Sequence, residues 1–410
     1  MVALAITLTG LALSSFFLRA GWLAFSISAP LAVGAWLISF DFGFGYRTVS
    51  FETIVLLLSF PLWALICESF VKLSNKEQIS LRVTFESKGF NYFDFFTLLL
   101  LFVGVFAFLL KVSLYFDHVF SSAFIKLIIE DPELIAKKFA SGYSSLHYLG
   151  FLGLVYLPLC SRGTAIWKVN VVFTFLYLIT LLLLMIKVQI VLAFSLLLWS
   201  FFLTRGFNKK FVLLTTAVVF IGVVITLYDN YKHSNNFLTS FEFLLRYLGG
   251  SVIGLDYFLN NREYSEYFSY KGYFCARYNP VFNYLGMEQF EYPDKVFINI
   301  GDNAGTVNTG TMVQSFVQDF GVLGACFAWI ITSVVFYMML ILSKGTSVLS
   351  RFASVYVVFF LASCSVFFIG NAILKLEIVL CLFVHLMLMI LLALIDKIFS
   401  QDMEPSSCAV

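Results

Sequence analysis

A glycine- and threonine-rich run, residues 301–311, leads into the longest apolar segment of the chain. Asn308 lies near the end of this run and Thr311 is its last residue. Gln314 follows Thr311 by three residues, on the same face of the predicted helix. Thr309 or Thr311 is a suitable helix N-cap, and the preceding glycines allow backbone N–H groups to converge at the helix start. Such a helix N-terminus binds anions. The pattern predicts that Asn308, Thr311 and Gln314 contact an anionic substrate.

Asp319 follows on the same predicted helix, residues 311–341. At 1.5 Å per residue this helix is about 46 Å long, whereas the hydrocarbon core of a bilayer is about 30 Å thick. If the helix is anchored near Lys344, Asp319 lies at the outer face of the membrane, where a sugar could reach it. We expect Asp319 to act as a general base or to orient an acceptor hydroxyl. The alternative is an interfacial carboxylate that pairs with a neighbouring side chain.

Fixed positive charge near the membrane surface would stabilise an anionic leaving group. Lys187 interrupts a long apolar stretch, and Arg246 follows Glu242 by four residues on a predicted amphipathic helix. Simpler interpretations exist for both: Lys187 marks a tight turn, and Arg246 forms a surface ion pair with Glu242 worth under about 1 kcal/mol. Two further cations rank below these as candidate substrate-binding residues: Arg262 and Arg277.

The elements that position these residues are predicted to be membrane helices. Sixty per cent of the 410 residues are apolar and 12% are charged, whereas about a quarter of a soluble domain is charged. A bilayer core requires about 20 consecutive apolar residues per helix, and an α-helix satisfies its own backbone groups there. The apolar runs predict about eleven transmembrane helices: 2–18, 22–40, 51–71, 94–112, 147–160, 169–186, 188–204, 211–228, 311–341, 352–370 and 376–395.

Lysine and arginine are concentrated in the loops on one side of these spans, which predicts that this side is cytoplasmic. The N-terminus then faces out, the C-terminus faces in, and an outer loop covers residues 113–146. We predict an all-α, polytopic membrane bundle with three parts. These are an N-terminal bundle of about eight spans, a large outer loop, and C-terminal helices with a short cytoplasmic tail: 1–228, 229–310 and 311–410.

The large outer loop is hydrophilic, aromatic-rich and partly helical by pattern. Residues 237–248 form the predicted amphipathic helix, and Gly249-Gly250 is expected to end it. A second short helix is expected through Asp256 to Leu259. Carboxylates and aromatic rings then alternate in a way that suits sugar recognition, although an interfacial aromatic belt explains many of the tyrosines equally well.

Several motifs of metal and cofactor chemistry are absent from the sequence. The seven cysteines are scattered, no Cys/His cluster has zinc-site spacing, and no Asp-x-Asp motif or phosphate-binding loop occurs. We therefore expect no metal and no cofactor, and the substrate is not expected to be a metal-bound nucleotide. His385, in the last span, is interpreted as a hydrogen-bonded core residue.

The chain resembles the O-antigen polymerase (oligosaccharide repeat-unit polymerase) family of bacterial inner membranes. Three features carry the likeness. They are the many-span layout with a large late outer loop, the run Leu245-Arg246-Tyr247-Leu248-Gly249-Gly250-Ser251, and Asn308-x-x-Thr311 leading into Asp319-Phe320-Gly321-x-x-Gly324. The layout spans nearly the whole chain, whereas the motifs cover some twenty residues and are loose.

This resemblance implies a glycosyltransferase of lipopolysaccharide or other surface-polysaccharide biosynthesis. Its substrates would be undecaprenyl-diphosphate-linked oligosaccharides at the periplasmic face, and a chain-length regulator and a flippase of the same pathway would be partners. Arg246 and Lys187 would then bind the diphosphate. The related ligase family has a histidine at the position of Gly310 or Thr311, which counts against the ligase. A lipid-linked-sugar flippase or transporter, and a non-catalytic scaffold, remain as alternatives.

Overall fold

The computed structural model of the chain is a helix bundle with one short β-hairpin. It describes residues 1–17, 21–41, 44–74, 92–115, 146–161, 163–183, 187–205, 237–260, 283–287, 298–301, 305–307, 312–345, 347–366 and 376–401. The helices are α1 Val2–Phe17, α2 Trp22–Phe40, α3 Phe51–Ser74, α4 Tyr92–Tyr115, α5 Leu149–Tyr156, α6 Ala165–Leu183, α7 Lys187–Arg205, α8 Phe237–Asn260, α9 Met312–Leu342, α10 Val348–Ser365 and α11 Leu376–Gln401. The antiparallel hairpin pairs β1 Ile298–Gly301 with β2 Gly305–Val307.

Helices occupy every predicted span except 211–228, which lies outside the described residues. Among the described residues, six helical segments are long and apolar enough to cross a membrane: Trp22–Phe40, Phe51–Val71, Tyr92–Ser113, Ala165–Leu183, Asp319–Leu342 and Val348–Ser365. Four shorter apolar helices accompany them: Val2–Phe16, Leu146–Leu159, Gln189–Thr204 and Ile378–Leu394. The chain is therefore an α-helical membrane protein. The count of eleven spans and the side on which each loop lies stay predictions.

α6 shows why the bundle requires a lipid environment. Its exposed face is apolar and includes Val172, Phe175 and Ile179, which are 56%, 64% and 48% exposed. Its buried face instead carries polar side chains, among them Asn170 and Thr174. A helix of a soluble protein has the opposite arrangement, with its apolar stripe against the core. Exposed apolar residues and buried polar residues on one helix indicate that the outer surface faces lipid.

The helices form two groups that α10 joins. The first group contains α1, α2, α3, α8 and α9, and the second contains α4, α5, α6, α7 and α11. α10 packs against α2 and α9 of the first group and against α7 and α11 of the second. Within the first group, the Trp329 ring of α9 stacks on Phe60 of α3, with centroids 5.0 Å apart, and its indole N–H donates to the Phe60 carbonyl.

α8 is one continuous helix of 24 residues, so the prediction that Gly249-Gly250 ends a shorter helix is wrong. Both glycines are buried within the helix. A Cβ at position 249 would lie 3.3 Å from a side-chain carbon of Ile38 and 3.3 Å from the hydroxyl of Tyr46. The glycine therefore allows α8 to approach the end of α2 closely. Packing against α2 overrides the weak helix propensity of the glycine pair.

α9 is interrupted, whereas the sequence predicted one straight helix. Gly321 has φ 69° and ψ 174°, a conformation that is essentially confined to glycine. The 21 residues that follow Gly321 would span about 31 Å as a helix, close to the roughly 30 Å thickness of a hydrocarbon core. Asp319 precedes this break. The part of α9 that is long enough to cross a membrane therefore follows Asp319. The prediction that α9 is one straight helix, from which the position of Asp319 was estimated, is wrong.

Candidate functional site

Several elements meet around α8 at the end of the bundle where α2 ends and α3 begins. α8 packs against α2 and α3, and it also contacts both hairpin strands and α9. We call this region the α8 end. The structure therefore brings α8, which carries Arg246, into contact with α9, which carries Gln314 and Asp319.

A pocket at the α8 end lies between the second half of α8 and the segment that precedes α3. Its volume is about 440 Å³, and six residues line it: Arg47, Thr48, Ile253, Asp256, Tyr257 and Asn260. Pockets of about 300–1,000 Å³ are typical of small-molecule sites, and these combine apolar walls with a few polar groups that fix orientation. Size and lining both suit a small polar ligand.

Asp256 is the most firmly held side chain of this pocket. Its Oδ1 atom accepts hydrogen bonds from the Ser50 backbone N–H at 2.8 Å, the Ser50 hydroxyl at 2.6 Å and the Thr53 hydroxyl at 2.6 Å. Asp256 is only 8% exposed. Because Ser50 immediately precedes α3, the carboxylate of one helix fixes the start of another.

Asn260, one turn after Asp256, adds an acceptor to the same wall. Its amide nitrogen donates to the Asp256 carbonyl at 2.9 Å and to the Ser50 hydroxyl at 3.2 Å. A carbonyl only accepts, so the amide nitrogen faces it and the amide oxygen is the remaining polar atom. Within the described part of the chain, neither Asp256 Oδ2 nor the Asn260 amide oxygen forms a hydrogen bond.

Arg47 provides the positive charge of the pocket. It is exposed, and its guanidinium carbon lies 5.6 Å from the centroid of the Tyr257 ring. This is a cation–π contact, which orients the guanidinium and leaves its N–H groups available. Arg47 forms no ion pair with any other described residue. The pocket thus combines one cation with one carboxylate.

The predicted cations Arg246 and Lys187 lie on different helix groups. Arg246 is on α8, and its backbone position lies on the same helix face as the pocket residues Ile253 and Tyr257, because these follow it by seven and eleven residues. It is about 16 Å from Tyr257 along the helix axis. Lys187 is the first residue of α7 in the second group. The side chains of Arg246 and Lys187 lie outside the described part of the structure.

The predicted residues of α9 are largely enclosed by protein. Asp319 is 6% exposed, and Gln314 is partly buried with its amide oxygen unbonded among the described residues. The burial of Asp319 is compatible with the alternative of a structural carboxylate. A substrate would reach Asp319 only if neighbouring side chains move aside. Four other predicted substrate-binding residues lie outside the described residues: Arg262, Arg277, Asn308 and Thr311.

A second polar cluster is buried in the other helix group. His147 Nδ1 lies 2.9 Å from the Gly104 carbonyl, which requires Nδ1 to be the donor and leaves Nε2 as an acceptor in the neutral ring. Gln189 donates to the Tyr148 hydroxyl, and Tyr177 packs 5.0 Å from the His147 ring. Three buried atoms of this cluster have no hydrogen-bond partner among the described residues: His147 Nε2, Tyr177 Oη and Gln189 Oε1.

His385, by contrast, is a core residue, as the sequence predicts. It is fully buried, its Nδ1 bonds to the hydroxyl of Tyr156, and its Nε2 lies 3.2 Å from the Arg351 carbonyl. Both ring nitrogens are therefore occupied. In the ranges that the structure describes, no group of three or more His, Cys, Asp or Glu side chains is arranged to hold a metal ion.

The sequence analysis missed most of the pocket. The sequence-based predictions give Arg47 no role, and they place Asp256 on a short loop helix without a role. One local signal was available: Ser50 and Thr53 precede an apolar run with the spacing of a helix start. That signal predicts where α3 begins, but it gives no indication that a carboxylate 206 residues away completes the cap.

Comparison with known proteins gives no match: no protein-family model, no curated protein and no solved structure matches this chain.

Proposed function

We propose that the chain polymerises lipid-linked oligosaccharide repeat units at the periplasmic face of a bacterial inner membrane, as O-antigen polymerases do. The single observation that carries this proposal is the pocket at the α8 end. It places a carboxylate, an amide and a guanidinium at one end of a lipid-facing helix bundle, beside the helices of Arg246 and Asp319. A substrate with a polyprenyl tail and a polar glycan head requires this combination of surfaces.

The proposed reaction transfers the growing glycan without a metal ion. The bond between the anomeric carbon and the undecaprenyl diphosphate breaks, and the diphosphate leaves with the electron pair. A hydroxyl of the next repeat unit forms the new glycosidic bond and gives its proton to a carboxylate, for which Asp319 is the proposed base. Arg246 and Lys187 would stabilise the negative charge on the departing diphosphate.

Transport of a lipid-linked sugar is the second candidate, and the buried cluster around His147 favours it. Polar side chains inside a membrane bundle are costly and commonly mark a substrate or proton pathway. Lys111 is also buried, and it lies seven residues after Gly104 on α4. Polymerisation ranks first because the pocket with both charges lies at the end of the bundle, where a glycan head has access.

Deletion of the gene in its host, followed by gel analysis of the lipopolysaccharide, tests the proposal. We expect loss of the ladder while one repeat unit remains attached to the lipid A core, and complementation should restore the ladder. A bare core without any repeat unit would contradict polymerisation, because it points to the ligase or the flippase. An unchanged ladder would exclude all three activities.

A further inference from the structure

We infer that the pocket at the α8 end binds an acidic sugar, meaning a pyranose that carries one carboxylate group beside free hydroxyls. This inference deepens the proposed function, since the acidic sugar would belong to the repeat unit. It concerns residues to which the sequence analysis gave no role. The polar atoms of the pocket that form no hydrogen bond to described residues point to this ligand.

One wall of the pocket offers acceptors. Asp256 uses Oδ1 for three hydrogen bonds, and Asn260 uses its amide nitrogen for two, so Asp256 Oδ2 and the Asn260 amide oxygen remain. Both remaining atoms accept hydrogen bonds and cannot donate them. A ligand that satisfies this wall must bring O–H or N–H donors. Adjacent sugar hydroxyls meet that requirement.

The mouth of the pocket offers donors. The Arg47 guanidinium is held over the Tyr257 ring, and a planar guanidinium binds an oxyanion through two parallel N–H donors. An oxyanion at Arg47 and hydroxyls at Asp256 and Asn260 would satisfy both sides of the pocket at once.

Charge balance distinguishes an acidic sugar from a lipid diphosphate. The pocket carries one positive side chain, Arg47, and one negative side chain, Asp256. A ligand with a single negative charge is matched by Arg47, whereas the additional charge of a diphosphate would face the Asp256 carboxylate. A diphosphate also lacks hydroxyl donors for the acceptor wall. The pocket therefore favours an acidic sugar over the diphosphate headgroup, which leaves Arg246 and Lys187 for the diphosphate.

Binding measurements on the purified full-length chain in detergent micelles test this inference directly. The probes are D-glucuronate, D-glucose and inorganic pyrophosphate, and ligand-observed NMR or calorimetry gives their affinities. We expect glucuronate to bind about tenfold or more tightly than glucose, because only glucuronate forms the charge-assisted bonds to Arg47. Pyrophosphate should bind more weakly than glucuronate.

Two variants separate the two sides of the pocket. Arg47→Gln should reduce glucuronate affinity to the level of glucose. Asp256→Asn should strengthen pyrophosphate binding relative to glucuronate, because it removes the opposing charge. If Asp256→Asn does not fold, Asn260→Ala replaces it, since it leaves the three bonds to Asp256 Oδ1 intact; it should weaken both sugars and leave pyrophosphate unchanged. Lys168→Gln is the control for the loss of one positive charge. Lys168 is exposed, and its helix α6 packs against α4, away from the pocket.

Three results would overturn the inference: tighter binding of pyrophosphate than of glucuronate, unchanged glucuronate affinity in Arg47→Gln, or no binding of any probe to the wild-type protein. The gene deletion reports on the proposed function separately. Glucuronate binding together with a normal lipopolysaccharide ladder in the deletion strain would retain the site and reject the polymerase. Loss of the ladder in the deletion strain without glucuronate binding would support the polymerase and reject the acidic-sugar site.

Discussion

Asp256 on α8 and Ser50 before α3 are joined by two hydrogen bonds across 206 residues of sequence. The contact fixes the second half of α8 against the bundle and shapes the pocket between them. One oxygen of this carboxylate holds the start of α3, and the other is the oxygen that the inferred ligand would use. Stability and binding at this site should respond separately to changes on its two sides.

The first prediction concerns stability. Asp256→Ala should lower the free energy of unfolding by about 2–4 kcal/mol, because it leaves the Ser50 N–H and the buried Thr53 hydroxyl without their charged acceptor. Asn260→Ala, in the same helix, should cost only about 0.5–1.5 kcal/mol, since it removes neutral hydrogen bonds at an exposed residue. Thermal unfolding in detergent measures both variants. Equal shifts in melting temperature would contradict the anchoring role of Asp256.

Gly321 provides a test of the interruption in α9. Gly321→Ala should destabilise the protein by about 1–3 kcal/mol, because alanine does not tolerate φ 69° with ψ 174°. A Cβ there would meet no atom within 4 Å, so the cost would be conformational rather than steric. Gly10 is the matched control, since it is helical and equally open. Gly10→Ala should be neutral or slightly stabilising, and a similar loss in both variants would argue against the interruption.

Two packing glycines should differ in their tolerance of a methyl group. A Cβ at Gly150 of α5 would overlap the Tyr177 ring, whereas a Cβ at Gly249 of α8 would be tight at 3.3 Å. Gly150→Ala should therefore cost about 1–3 kcal/mol and Gly249→Ala less. Tyr177→Leu in the Gly150→Ala background should recover part of the loss, as expected for residues in contact. Additive effects in this double variant would contradict the packing.

The proposed diphosphate binders make a prediction in cells. Arg246→Ala should reduce polymer length or yield by about tenfold or more, because an electrostatic contact made at the transition state is lost. Lys187→Ala should have the same direction of effect. Protein abundance must be compared by immunoblot, and Lys168→Ala provides a control for charge loss. A normal lipopolysaccharide ladder in Arg246→Ala would remove this residue from the mechanism.

The positions of the helices were predictable from the sequence because the apolar runs are long and lipid permits only backbone that is satisfied internally. The helix α6 illustrates this, since the length and apolar character of its own sequence predict a span without any knowledge of the helices that pack against it. The continuity of α8 was not predictable. Gly249 is a poor helix residue in isolation, and only the proximity of Ile38 and Tyr46 explains its place in the helix.

The candidate site was less accessible to sequence reasoning. Arg47 and Tyr257 are separated by 210 positions, and a cation–π contact at that separation leaves no local pattern. The interruption at Gly321 was missed for a related reason: a glycine within an apolar helix is common, and its backbone angles depend on the surrounding fold. Long-range contacts determine the pocket, and the backbone angles of Gly321 determine where α9 is interrupted after Asp319.

Reconstitution of the reaction would show whether the chain polymerises repeat units. The purified chain would be placed in liposomes with isolated undecaprenyl-diphosphate-linked repeat units and a metal chelator, and the products would be separated by length. We expect a ladder of longer lipid-linked glycans, with release of one undecaprenyl diphosphate for every unit added. Repeat units that keep their original length, in a preparation whose protein is folded, would contradict the proposed polymerisation.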